Sequence, residues 1–193
     1  MVDLGEFSLD RMVRAVEKVR ERLLRAAALL KTHGVPYAVI GGNAVAAWVS
    51  RVDEAAVRNT QDVDILIRRE DLERTKVALE SAGFIYHHAA SVDMFLDGVN
   101  GKPRDSIKVH FSGEIEANSI SPCPDVIEAA PFEKLLLLSL DAVVHMELST
   151  NAIEGKVNIK DLLEVGLVDS SWTTRLSPQL ASRLQEILDN PDG

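Results

Sequence analysis

Gly41 and Gly42 stand at the junction between a short apolar run, residues 37–40, and an alanine-rich stretch. Asp62 and Asp64 follow, with a single valine between them. A glycine pair at the end of a strand lets backbone approach a ligand closely. A helix that starts there offers unpaired N–H groups and a positive dipole end, a natural seat for phosphate. Residues two apart on a strand project from the same face, so Asp62 and Asp64 lie side by side. Two carboxylates that close repel unless a cation sits between them. Mg²⁺ takes oxygen ligands and commonly uses one or two carboxylates plus substrate phosphates. A phosphate seat and a metal seat on neighbouring strands predict a nucleoside triphosphate site. The plainer alternatives are a tight turn and a solvated strand end.

The elements that must hold these groups can be read from periodicity. Residues 9–31 repeat apolar side chains every three or four positions and predict an amphipathic helix with a solvated charged face, stopped by HGVP at 33–36. Residues 37–40 form a strand, 43–50 a helix and 51–61 a loop. In residues 62–67 the alternation puts Asp62, Asp64 and Leu66 on one face. Residues 71–82 predict a helix ended by Gly83. Residues 92–97 and 106–111 predict two strands joined by a turn-rich segment. His87 and His88 are neighbours, point to opposite faces of an extended chain and read as surface. A proline-punctuated linker then leads to a helical pattern opening at Pro131, followed by helical runs at 159–166 and 177–189. Trp48 and Trp172 read as packing residues. The fold expected is α+β (or α/β): a small mixed sheet with helices, followed by a C-terminal helical tail. The expected division is a domain over 1–130, including the first helix, and a helical region over 131–193.

Composition narrows the function classes. The 193 residues are 46% hydrophobic and 26% charged, an ordinary globular balance with enough chain for a core. The net charge of −9 argues against non-specific binding to nucleic acid, while leaving room for a local basic rim around a small anion. One cysteine, Cys123, makes no internal disulfide and suits a reducing compartment. The acidic first residues lack the apolar core of a leader, and the longest apolar runs are shorter than a membrane span, so a soluble cytoplasmic protein is expected.

GGNAVAAW followed by RNTQDVDILI resembles the nucleotidyltransferase superfamily with the DNA-polymerase-beta fold. In particular it resembles a small bacterial group, abortive-infection-type proteins among them, whose pattern runs Gly-Gly, a short helix, then Arg-x-Thr-x-Asp-x-Asp. Arg58, Thr60, Asp62 and Asp64 match that pattern position by position. The resemblance implies that Gly41 and Gly42 bind the triphosphate and that Asp62 and Asp64 hold Mg²⁺ or Mn²⁺. It implies nucleotide contacts from Asn43, Arg58 and Thr60 as well. From the residues alone, Asn43 reads first as a helix cap, Arg58 equally as a surface ion pair, and Thr60 alternatively as a partner of its own loop. The family adds a third carboxylate on a later strand, and here His110 occupies that place. His110 is then a third ligand, a general base with a near-neutral pKa, or an ordinary strand residue. Asp105 and Glu114 flank the strand as substitutes. The activity implied is transfer of a nucleoside monophosphate to an unknown acceptor. The alternatives are a nucleotide-binding module without catalysis and a toxin-type protein working through a protein partner.

Overall fold

A computed structural model describes residues 9–150 and 152–190. The first residues, read above for a leader, lie outside them. Helix α1 (Leu9–Thr32) buries Leu23, Ala26, Ala27 and Leu30, one face at helical spacing. Gly34, at φ +65°, closes it, with Val35 N–H returning to the Leu30 carbonyl and Gly34 N–H to that of Lys31. This is the left-handed glycine stop expected after such a run. The other end of α1 is uncovered: Met12, Val13 and Val16 are all exposed.

Strand β1 (Ala38–Ile40) runs straight into helix α2 (Gly41–Ser50), so the glycines form the helix's first turn instead of preceding it. Strand β2 (Val63–Ile67), helix α3 (Leu72–Glu80) and the hairpin β3 (Phe84–Ala89) and β4 (Val92–Asp97) follow. The hairpin turns at Ala90 and Ser91, both left-handed, as a two-residue loop requires. His87 and His88 lie exposed on β3, a strand that the sequence pattern had not marked. Strand β5 (Ile107–Phe111) is next.

The expected helix at Pro131 is instead a hairpin, β6 (Ala129–Phe132) and β7 (Leu135–Leu138), turned at Glu133 with φ +51°. A run of four leucines has no period that separates a buried strand from a helix. Pro131 is tolerated because β6 is an edge strand. Helix begins only at α4 (Leu140–Ser149), where the Ser139 hydroxyl accepts from Ala142 N–H. Helices α5 (Ile153–Glu164) and α6 (Pro178–Asp189) complete the chain, α6 burying Leu180, Leu184 and Ile187.

The seven strands form one mixed sheet in the order β3-β4-β5-β2-β1-β7-β6. β1 is antiparallel to β2 and parallel to β7, and β2 is parallel to β5. α1 lies against β2 and β7, and α3 against β3. α2 packs on β1 and β2, and α4 and α5 pack on α2. The predicted α+β fold is present, with the C-terminal helices following a sheet larger than expected by β3 and by the β6–β7 hairpin. No helix among the described residues is long and apolar enough to cross a membrane.

Candidate functional site

The sheet register sets up the site. Ile40, Asp64 and Lys108 lie in one row across β1, β2 and β5, with Leu66 opposite His110 one step on. Val63, Ile65, Ile107, Val109 and Phe111 are buried, which turns Asp64, Lys108 and His110 to the other face.

Gly41 has φ +62°. A Cβ built on it would stand 2.9 Å from Asp64 Oδ2, and one on Gly42 would stand 3.1 Å from Thr60 Oγ1. A side chain at either position would crowd its neighbour, and at Gly41 the left-handed backbone favours glycine as well. Asn43 is not the helix cap. Its side-chain N–H donates to the Asp62 carbonyl at 2.6 Å, while the cap position is Ile40 and no side chain caps the helix. The first turn of α2 is thus held against residues 60–64.

Each aspartate carries a cation from β5. Lys108 Nζ donates to Asp62 Oδ2 at 2.8 Å, and His110 Nε2 donates to Asp64 Oδ1 at 3.3 Å. His110 Nδ1 donates to Glu116 Oε1 at 2.5 Å. Burial pushes the His110 pKa down, but the hydrogen bonds and charges of Asp64 and Glu116 outweigh it and raise it to about 10. The ring is charged at neutral pH, and the near-neutral value expected for a general base does not hold in this cleft. Burial likewise works against the Lys108 charge, and Asp62 with Asp64 outweighs it. Glu116 ionises below its ordinary range because His110 overcomes its burial.

Three carboxylates lining the cleft escaped sequence reasoning. Glu116 follows β5 in GEIEAN, Glu147 lies on α4, and Glu154 stands exposed in the first turn of α5. Glu147 Oε2 accepts from Asn158 Nδ2 at 3.0 Å. Burial and the nearby Asp64 charge raise the Glu147 pKa to about 7, against the Asn158 hydrogen bond. Asn158 Oδ1 accepts from Arg58 at 2.6 Å, and Arg58 also pairs with Asp161 at 2.8 Å. Arg58 is therefore an ion-paired residue that braces α5. Gly155 lets α5 approach closely, since a Cβ there would meet the Glu147 carbonyl at 2.6 Å. The available signal was a lone acid in the apolar run VVHMEL.

The substitutes considered for the third acid lie elsewhere. Glu114 accepts two hydrogen bonds from Arg69, at 2.7 and 2.6 Å, and Asp105 sits beside Arg104. Neither lines the cleft. Gly41, Gly42, Arg58, Thr60, Asp62, Asp64 and His110 do line it, around about 710 Å³, a size typical of small-ligand sites. Asn43 braces its wall from behind.

The fold recurs in solved structures. An antigenic nucleotidyltransferase-like protein from Paracoccidioides brasiliensis is 15% identical, with a TM-score of 0.58, covering 91% of this chain and 90% of that one. The antibiotic-resistance factor ANT(2'')-Ia is 12% identical, with a TM-score of 0.50, covering 94% and 93%. At these identities the likeness is one of fold. No curated protein matches the chain. A family model described as uncharacterised nucleotidyltransferase matches residues 8–169, most of the molecule, and to that family the chain belongs.

Proposed function

We propose that the protein transfers a nucleoside monophosphate from a nucleoside triphosphate to an acceptor hydroxyl. The observation that supports this reading is the close approach of the Gly41 turn to Asp64, which puts the glycine turn and the carboxylate pair in one cleft. The donor set fits Mg²⁺ or Mn²⁺: both take carboxylate oxygens, and Asp64 Oδ2 stays on the glycine side while Oδ1 is tied to His110. Bound between Asp62 and Asp64, such a metal would neutralise phosphate charge and polarise the α-phosphoryl group.

Backbone N–H groups of the first α2 turn receive the phosphates, with Asn43 fixing that turn to the aspartate segment. The acceptor oxygen attacks the α-phosphorus, the bond to the β-phosphate bridging oxygen breaks, and pyrophosphate leaves. Glu147, poised near pH 7, takes the acceptor proton. Arg58 acts through Asn158 to hold the Glu147 carboxylate in place. His110 orients Asp64 and Glu116 as a charged donor to both.

The second reading, a nucleotide-binding module without catalysis, rests on Lys108 and His110, which put two cations on β5 where the family carries an acid. Calorimetry with Mg²⁺ and ATP tests the site: binding is expected for the native protein and lost in Asp64→Asn. Equal affinity in both would remove the carboxylate pair from the reading. Transfer of label from an α-labelled triphosphate separates enzyme from binding module.

A further inference from the structure

A second groove, of about 830 Å³, opens beside the cleft, and Gln61 and Arg104 line both, so the two are continuous. One wall is the N-terminal part of α1, which presents Arg11, Arg14, Lys18, Arg22 and Arg25. Their spacing of three and four residues puts them on one helix face. From Arg11 to Arg25 that stripe runs about 21 Å at 1.5 Å per residue. The other wall, the segment before β5, adds Lys102 and Arg104. Seven cations face three carboxylates, Glu21, Asp97 and Asp105, in a chain whose net charge is −9.

Asp97 is already taken by Arg22 at 3.3 Å and by Arg25. Arg11, Arg14, Lys18 and Lys102 make no ion pair among the described residues. Arg22 is 93% buried, yet its Nη1 has no hydrogen-bond partner. A regular row of unpaired cations with a buried, under-satisfied guanidinium among them calls for a polyanion. Apolar lining is limited to Ala15 and Val19, which lacks the apolar core of a protein interface.

We infer that this groove binds the phosphodiester backbone of a single-stranded nucleic acid and leads its end past Gln61 and Arg104 into the cleft. The acceptor in the proposed transfer is then a terminal hydroxyl of that strand; this assignment rests on the cleft reading above. The low overall charge is compatible with it, because the cations are concentrated on one groove.

The test uses the full chain and a short fluorescent single-stranded oligoribonucleotide, with Mg²⁺–ATP binding measured on the same samples. Arg11→Glu/Arg14→Glu/Lys18→Glu changes only exposed residues of α1 and should weaken oligonucleotide binding at least tenfold. It should also flatten the slope of log affinity against log salt by about 2, since each neutralised phosphate contributes about 0.7 for single strands. Lys102→Glu, exposed on the opposite wall, should weaken binding without touching α1. Mg²⁺–ATP affinity should be unchanged in both. Oligonucleotide binding that ignores both variants overturns the inference. So does competition by polyglutamate at equal charge concentration, which would assign the groove to an acidic protein. A native protein that binds the oligonucleotide but not Mg²⁺–ATP overturns the cleft reading and leaves the groove standing.

Discussion

Replacing Glu147 by glutamine should make the protein more stable, and only above a defined pH. The folded pKa of Glu147 lies near 7 against an ordinary 4.5, because the cleft buries it beside Asp64. A raised carboxylate pKa means that the folded state holds a proton the unfolded chain has released, so stability falls as pH rises from 4.5 to 7. At about 1.36 kcal/mol per pH unit, the full penalty is on the order of 3 kcal/mol above pH 7 and nil below 4.5. Glutamine has the same shape, still accepts from Asn158 Nδ2 through its amide oxygen, and carries no charge. Urea unfolding followed by the fluorescence of Trp48 and the buried Trp172 should show Glu147→Gln level with the native protein at pH 4.5 and well above it at pH 8. The difference between the two pH values is the readout, which removes any effect of the substitution common to both. If the gap between Glu147→Gln and the native protein is the same at pH 4.5 and 8, Glu147 is not held near neutrality and its assignment as proton acceptor falls with it. If it does take the acceptor proton, the gain in stability should accompany a 10²- to 10⁴-fold loss of transfer.

Gly41→Ala combines a left-handed backbone with a Cβ 2.9 Å from Asp64 Oδ2, so it should lower stability by about 1–2 kcal/mol and weaken Mg²⁺–ATP binding at least tenfold, read by thermal shift and calorimetry. His110, with its pKa raised from 6.5 to about 10, contributes stability that is complete below pH 6.5 and fades as pH rises through 10; a thermal-denaturation series from pH 6 to 10 should show this loss in the native protein and not in His110→Gln. Cutting the chain after Glu128 removes β7 and bares the inner edge of β1, so circular dichroism on heating should show no cooperative transition, whereas a sheet that is complete without this hairpin would still melt sharply.

The parts of the site that a sequence exposes are those whose chemistry is local. The alternation in residues 62–67 and the glycine junction before α2 each announce themselves within a few positions, and the structure brings both to one cleft. Glu116 and Glu147 were not legible because their neighbours are set by topology: Asp64 precedes them by 52 and 83 residues. His110 was visible as an anomaly, but its charge state depends on Glu116 and could not be read from its own strand. Asn43 was ambiguous for a related reason, since its partner is a backbone carbonyl on another element. The leucine run at 135–138 misled because burial on both sides of a sheet erases the period that would betray a strand.

The parallel pairing of β1 with β7, Val39 opposite Leu137, has a consequence for synthesis. β1 is wholly apolar and wholly buried, and β2 covers only one of its edges. Leu138 follows Ile40 by 98 residues, roughly 5–20 s of translation. During that interval the nascent chain can pair β1, β2 and β5, yet it exposes an unprotected hydrophobic edge immediately beside the glycine turn. A ribosome-bound chain stalled before residue 135 should therefore recruit holdase chaperones and lack a finished candidate cleft. Release of the hairpin closes the edge, so the candidate cleft is complete only after most of the polypeptide has been made.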